Sequence, residues 1–151
     1  MSDNKKIVNL GCGMLTNSEI IDVDILPLEG VDLVCDITKG LPEELSEADE
    51  VIADYVLCQI ADKNEFMFVM NEVWRILKPG GLFKIKVPDS NYSCAFQDPM
   101  DCRYFVPETF DYFDEDNYRW RVFGYGFKGW EIVKVDKERE DRLYVEMRKP
   151  L

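Results

Sequence analysis

The sequence contains no histidine. That excludes every Ser-His-Asp or Cys-His arrangement and the side chain that most often acts as a general base near neutral pH. Five cysteines are present, Cys12, Cys35, Cys58, Cys94 and Cys102, and no two of them form a C-x-x-C pair. With neither histidine nor paired cysteine, no metal site is expected. An odd set of thiols, several within apolar runs, suits a reducing compartment and hence the cytoplasm. No apolar run is long enough to span a bilayer. The run after Met1-Ser2-Asp3-Asn4-Lys5-Lys6 is too short for a signal-peptide core, so no membrane partner is expected. Positive charge is scarce, with 18 Lys and Arg against 30 Asp and Glu and a net charge of −12. Such a chain repels phosphate backbones and anionic lipid heads, so no nucleic-acid partner is expected.

What is present suits one domain over residues 1–151. A domain of this size buries roughly 68–70% of the surface its unfolded chain exposes. The 46% hydrophobic and 13% aromatic content is enough to fill such a core. Short apolar runs at Lys5–Leu10, Glu19–Ile25, Val31–Asp36 and from Glu50 to Ala53 read as buried strands of a mostly parallel sheet covered on both faces. Phe66, Val69, Met70, Val73, Trp74 and Leu77 recur at helical spacing and predict a helix over Lys63–Leu77. Asp62 is its expected cap, with Glu65 as reciprocal partner. Lys78-Pro79-Gly80-Gly81 then turns the chain into a fifth strand, Leu82–Val87. A short helix is expected at Pro107–Phe113. The chain ends in an antiparallel hairpin, with Trp130–Val135 on one arm, Leu143–Met147 on the other and a polar turn at Lys137–Asp141. The oligomeric state is left open.

The chemistry concentrates after the first strand. Gly11 and Gly13 let the backbone approach a ligand closely. A dinucleotide fingerprint needs a third glycine where this chain has Thr16. Only the residues from Met14 to Ile20 separate Gly13 from the second strand's apolar positions, so the first crossover helix is truncated and a nicotinamide dehydrogenase is disfavoured. Asp24 ends the second strand, where a carboxylate can accept from ribose hydroxyls. Asp22, on the same strand face, competes for that role. Asp36 ends the third strand, where a carboxylate can accept from an adenine amino group.

Taken together, Val8-Asn9-Leu10-Gly11-Cys12-Gly13, Asp22-Val23-Asp24-Ile25, Cys35-Asp36-Ile37, Ile52–Ile60 and Arg75-Ile76-Leu77-Lys78-Pro79-Gly80-Gly81 resemble the class I S-adenosylmethionine-dependent methyltransferases of the short bacterial and phage type, type 11-like. Phe96-Gln97-Asp98-Pro99 through Arg103, then Pro107-Glu108-Thr109-Phe110, resembles their substrate-side segment. The resemblance implies a Rossmann-like α/β methyltransferase fold. It implies S-adenosylmethionine as cofactor and methyl transfer to a small-molecule or glycan acceptor. It places Gly11 and Gly13 at the methionine part, Asp24 at the ribose, and Asp36 and Ile37 at the adenine, with Leu10 and Cys12 also among the cofactor-binding residues. Asp54, Tyr55 and Leu57 would line the methyl-transfer side. Relatives carry H-V-L-E-H and D-P-x-H where this chain has Tyr55-Val56-Leu57-Cys58-Gln59 and Asp98-Pro99-Met100-Asp101. Tyr55 and Asp101 are therefore the candidate catalytic side chains. Asp89 is the remaining polar candidate, and before Ser90-Asn91 it also reads as a turn residue. A second reading is a binding subunit of methyltransferase fold that acts through a partner. The missing histidines point to it, and Asp24 and Asp36 point away.

Overall fold

The computed structural model describes residues 4–151. Met1-Ser2-Asp3, the start of the N-terminal segment read above, lies outside the described residues. Seven strands form one sheet: β1 (Ile7–Leu10), β2 (Ile21–Asp24), β3 (Leu33–Val34), β4 (Ala48–Asp54), β5 (Leu77–Pro88), β6 (Glu131–Arg139) and β7 (Arg142–Arg148). Their spatial order is β3-β2-β1-β4-β5-β7-β6. The first five run parallel; β7 is antiparallel to β5 and to β6. This is the expected mostly parallel sheet with a C-terminal hairpin.

The helices are few. Among the described residues no helix joins β1 to β2 or β2 to β3, and only 3-10 turns at Ile37–Lys39 and Glu43–Leu45 lie between β3 and β4. The longest helix, α1 (Lys63–Ile76), follows β4; a second, α2 (Tyr118–Phe123), precedes β6. α1 buries Phe66, Val69, Met70, Val73 and Ile76 on one stripe. Its cap is Asp62, whose carboxylate accepts from the amides of Asn64 and Glu65, both at 2.9 Å. The reciprocal bond from Glu65 is not formed.

The expectation that both sheet faces are covered is wrong. One face carries Val8, Leu10, Val23, Val51, Ala53, Phe83, Ile85, Val87, Leu143, Val145 and Met147, all buried. α1 and an aromatic group from the 105–130 segment cover it, with Trp130, Phe105 and Phe110 fully buried. The opposite face has no helix over it among the described residues and is largely polar, with Ile7, Ile52 and Leu82 half-buried on it. Lys5 and Lys84 flank Glu50 at 3.3 and 3.0 Å, Lys86 lies 3.6 Å from Glu138, and Tyr144 donates to Glu146 at 2.6 Å. Burial pushes the Glu50 carboxyl up, but the Lys84 and Lys5 ammonium groups outweigh it and hold the group below its ordinary value. The reason for the open face is length. The segments after β1 and β2 are too short to return as helices, so the second face has nothing to bury against.

Three boundaries also shift. β3 has only two residues. The Lys78–Gly81 turn is drawn into β5, where Gly80 and Gly81 exchange backbone bonds with Lys149 at 2.8 and 2.9 Å. The polar run Lys137–Arg139 continues β6 and leaves only Glu140 and Asp141 for the turn. β6 is an edge strand, and its polar residues face solvent, so their polarity does not mark a turn.

Asp62 satisfies two orphan amides at the start of the main covering helix. Asp62→Ala is therefore expected to lower unfolding free energy by about 1 kcal/mol, measured by urea denaturation with an unchanged slope.

Candidate cofactor and acceptor site

The loop after β1 is built on Gly11 and Gly13, both in the left-handed region at φ 65° and 58°. A Cβ on Gly11 would lie 2.5 Å from Cγ2 of Val56, in the loop after β4, so only glycine lets the two loops close on each other. A Cβ on Gly13 would meet open space. The Cys12 amide donates to the Val23 carbonyl at 3.1 Å, which pins the loop to the end of β2.

Asp24 closes that end. One carboxylate oxygen accepts from the Gly13 amide at 2.8 Å and the other from the Leu26 amide at 2.9 Å. Asp22 differs from it. It is buried, accepts from the Asn17 amide at 2.7 Å and Asn9 Nδ2 at 3.3 Å, and braces the loop from behind. Asp36 caps the 3-10 turn Ile37–Lys39, accepting from the Thr38 hydroxyl at 2.7 Å and amide at 3.0 Å. Those two bonds hold its carboxyl below the ordinary value.

A cavity of about 500 Å³ opens among these groups at the carboxyl ends of β1, β2, β3 and β4. Gly11, Asp24, Asp36, Ile37 and Tyr55 line it. Ile25, Leu26, Cys35, Val56, Gln59 and Ile60 complete the wall and were not picked out from the sequence. The exposure of Ile25 and Leu26, apolar residues just past a strand end, is visible only in three dimensions. Five expected residues, Leu10, Cys12, Gly13, Asp54 and Leu57, fall outside the lining. Leu10, Cys12 and Leu57 are buried in or against the core, and Asp54 projects onto the open polar face towards Lys86 at 4.0 Å. β4 ends at Asp54, the left-handed backbone at Tyr55 redirects the chain, and the 3-10 turn Leu57–Gln59 sends Leu57 into the core while Val56 meets the cavity. Gly13 takes part through its amide bond to Asp24.

Tyr55 itself has φ 59°, which is uncommon for a residue with a side chain. Its amide donates to the Lys86 carbonyl at 2.8 Å and its hydroxyl to Glu138 at 2.8 Å. Burial and the neighbouring Glu138 carboxylate push the phenol above its ordinary value, so it stays protonated at neutral pH. On its far side lies a second cavity of about 270 Å³, shared by Tyr55 and Gln59 with Asp98, Asp101, Arg139 and Arg142. The two candidate catalytic residues thus stand in one cavity. Asp89 does not line it. It is buried in a turn, bonded to the amide and side chain of Asn91, both at 3.0 Å. Cys58 is buried beneath this cavity. Its thiol is pushed up to about 12, first by burial and then by the Asp101 carboxylate.

No protein-family model and no curated protein matches the sequence. Solved structures do match over nearly its whole length. A Methanosarcina mazei SAM-dependent methyltransferase superposes with a TM-score of 0.68 at 15% identity, covering 100% of this chain and 95% of its own. The chain has the fold of the S-adenosylmethionine-dependent methyltransferases. The N-methyltransferase NodS of Bradyrhizobium japonicum, solved with S-adenosyl-L-homocysteine, gives 0.64 at 13% identity over 97% of this chain and 79% of its own. The Burkholderia thailandensis 1,6-didemethyltoxoflavin-N1-methyltransferase, solved with S-adenosylhomocysteine and 1,6-didemethyltoxoflavin, gives 0.66 at 13% over 97% and 72%. Within this methyltransferase fold, the departures from the H-V-L-E-H and D-P-x-H patterns converge: Tyr55, Gln59 and Asp101 all line the smaller cavity.

Two outcomes follow for the loops. Gly13→Ala is expected to cost about 1–2 kcal/mol, the ordinary penalty of a left-handed alanine. Gly11→Ala adds the collision with Val56 and should cost about 1–3 kcal/mol more, both read by urea denaturation. For the thiols, iodoacetamide at about pH 8 should label exposed Cys102 and spare Cys58 until the protein unfolds, as scored by peptide mass spectrometry.

Proposed function

We propose that this protein transfers a methyl group from S-adenosylmethionine to a small-molecule or glycan acceptor, as one domain over residues 1–151. The observation that carries the reading is the junction of the two cavities at Tyr55. The larger has the chemistry of a nucleoside site. Two carboxylates converge on it from the ends of neighbouring strands, and a glycine loop leaves room for backbone approach. Its volume lies within the range of small-molecule sites, roughly 300–1,000 Å³.

In this reading Asp24 and Asp36 hold the ribose and adenine ends, with Ile37 and Ile25 against the base. Gly11 faces the methionine part. When bound, S-adenosylmethionine supplies an activated methyl group: the acceptor's electron pair forms the new bond to carbon as the carbon–sulfur bond breaks and its pair stays on sulfur. The work of the chain is then positional. Holding an acceptor in line and excluding water can supply roughly 7–11 kcal/mol of a barrier. Tyr55, kept protonated by burial and its tie to Glu138, forms the wall across which the acceptor is aimed. Asp101 is the carboxylate placed to take an acceptor proton.

The cofactor reading predicts that S-adenosylhomocysteine raises the melting temperature, since binding to the native state adds RT ln(1 + [L]/Kd) to stability. Asp24→Ala should weaken that binding by about 1.5–3 kcal/mol, the worth of hydrogen bonds to a charged group, in isothermal titration calorimetry. Asp22→Ala should instead lower the melting temperature and leave the affinity of the folded protein near wild type. No heat and no thermal shift at millimolar ligand would defeat the enzyme reading and favour the partner-binding subunit.

A further inference from the structure

The smaller cavity has an unusual distribution of charge. Arg139, the last residue of β6, and Arg142, the first of β7, are direct cross-strand partners. Two like charges placed opposite each other in a sheet are destabilising. Asp141 offsets the charge of Arg142, and Arg139 faces the Tyr55 hydroxyl and the Glu138 carboxylate, the latter beyond ion-pair distance. Glu138 is engaged by the Tyr55 hydroxyl at 2.8 Å and by Lys86 at 3.6 Å. Asp141 lies 3.3 Å from Arg142 alone. Among the described residues, no carboxylate lies within ion-pair distance of Arg139. The Arg142 guanidinium lies 5.9 Å from the centre of the Tyr55 ring, which sets it at the wall where the two cavities meet.

The other wall is acidic. The turn at Asp98–Asp101 is closed by the Asp101 amide donating to the Asp98 carbonyl at 3.0 Å and by Asp98 accepting from the Met100 amide at 2.9 Å. The Asp101 carboxylate has the Cys58 thiol as its neighbour. Among the described residues neither aspartate is paired with a lysine or arginine. Two cations and two anions thus line one cavity of about 270 Å³ without bridging it. Opposite charges held apart across a gap are matched by an occupant that carries both signs, one at each end.

We propose that the smaller cavity binds the methyl acceptor, and that this acceptor is a small zwitterion: an anionic group, carboxylate or phosphate, on the Arg139–Arg142 wall and an amine on the Asp98–Asp101 wall. The methyl-transfer part of the statement rests on the reading of the neighbouring cavity as the S-adenosylmethionine site; the binding part does not. Arginine suits the first role because its planar fork meets carboxylate and phosphate oxygens in pairs. The carboxylates suit the second. They attract an ammonium, and Asp101 takes the proton that the nitrogen must shed before its electron pair is free to accept a methyl group. The volume limits the occupant to about the size of an amino acid.

The test uses β-alanine and phosphoethanolamine as probes, with propionate and propylamine as analogues bearing a single charge. Binding is read from the arginine Nε–H resonances by NMR, with and without S-adenosylhomocysteine. At least one zwitterion should give saturable shifts at Arg139 and Arg142, with an affinity about tenfold or more above both single-charge analogues. Arg139→Gln, at the exposed end of the hairpin, should weaken it about tenfold while S-adenosylhomocysteine affinity stays within about twofold. Arg142→Gln is the second variant, should either change disturb the hairpin. Absence of saturable shifts from both zwitterions overturns the proposal. So does propionate binding as well as β-alanine, or an unchanged affinity in both folded variants. If the zwitterion binds as stated and S-adenosylhomocysteine does not, the charge assignment stands and the methyltransferase reading falls. If S-adenosylhomocysteine binds and neither zwitterion does, the reverse holds.

Discussion

Burial of one sheet face against α1 and the aromatic residues of the 105–130 segment carries the molecule, because the other face is largely polar and its few apolar residues, Ile7, Ile52 and Leu82, are only half-buried. Val51, Phe83, Ile85, Val145 and Met147 sit side by side across β4, β5 and β7 and are all inaccessible to solvent. Their neighbours one residue away, Glu50, Lys84, Lys86, Glu146 and Arg148, form the polar surface opposite. A doubly wound sheet ordinarily has helices on both faces. This chain keeps the strand order with α1 and short turns, and replaces the missing layer with charge pairs. The more exposed of these pairs, such as Lys86 with Glu138, contribute little, with a median near 0–1 kcal/mol. Their effect is to make an uncovered face compatible with water rather than to hold it together.

The site follows from that economy. Loops too short for helices leave the carboxyl ends of β1, β2 and β3 open, and the larger cavity occupies that opening. The end of β4 turns sharply there at Tyr55, in a left-handed conformation that costs a residue with a side chain energy. The turn places one side chain between two cavities and ties it by its hydroxyl to the hairpin at Glu138. Strain, a shared wall and the departures from the histidine patterns all meet at this residue. The hairpin does more than finish the sheet, since its end supplies Arg139 and Arg142 to the smaller cavity.

Much of the fold was legible. Helical spacing from Phe66 to Leu77 placed α1 within one residue, because a long amphipathic stripe is a redundant signal. Strand existence was equally clear, and the alternation in Leu143, Val145 and Met147 identified β7. The boundary at Lys137–Arg139 was not, since exposed edge residues and turn residues have the same composition. Nor was the open face anticipated. Apolar runs as short as Ile7–Leu10 do not reveal whether one side or both are covered; the lysines at 84 and 86 held the answer but are as readily read as strand solubility.

The sequence by itself determined the mostly parallel sheet with its terminal hairpin, the glycine loop and the positions of Asp24 and Asp36 at or just past strand ends, because the apolar runs and turn residues that mark them stand in one order along the chain. Tertiary structure decided which neighbours share the cavity. It took Val56 and Gln59 into the wall, sent Leu57 to the core and Asp54 to the opposite face, and turned Asp22 into a brace. It also brought Asp98 and Asp101 across from Arg139 and Arg142, two pairs from separate parts of the chain. The left-handed turn at Tyr55 and the 3-10 turn at Leu57–Gln59 set which side chains face the cavity, and residues far apart in sequence meet only once the sheet has formed, so neither outcome is written in local pattern.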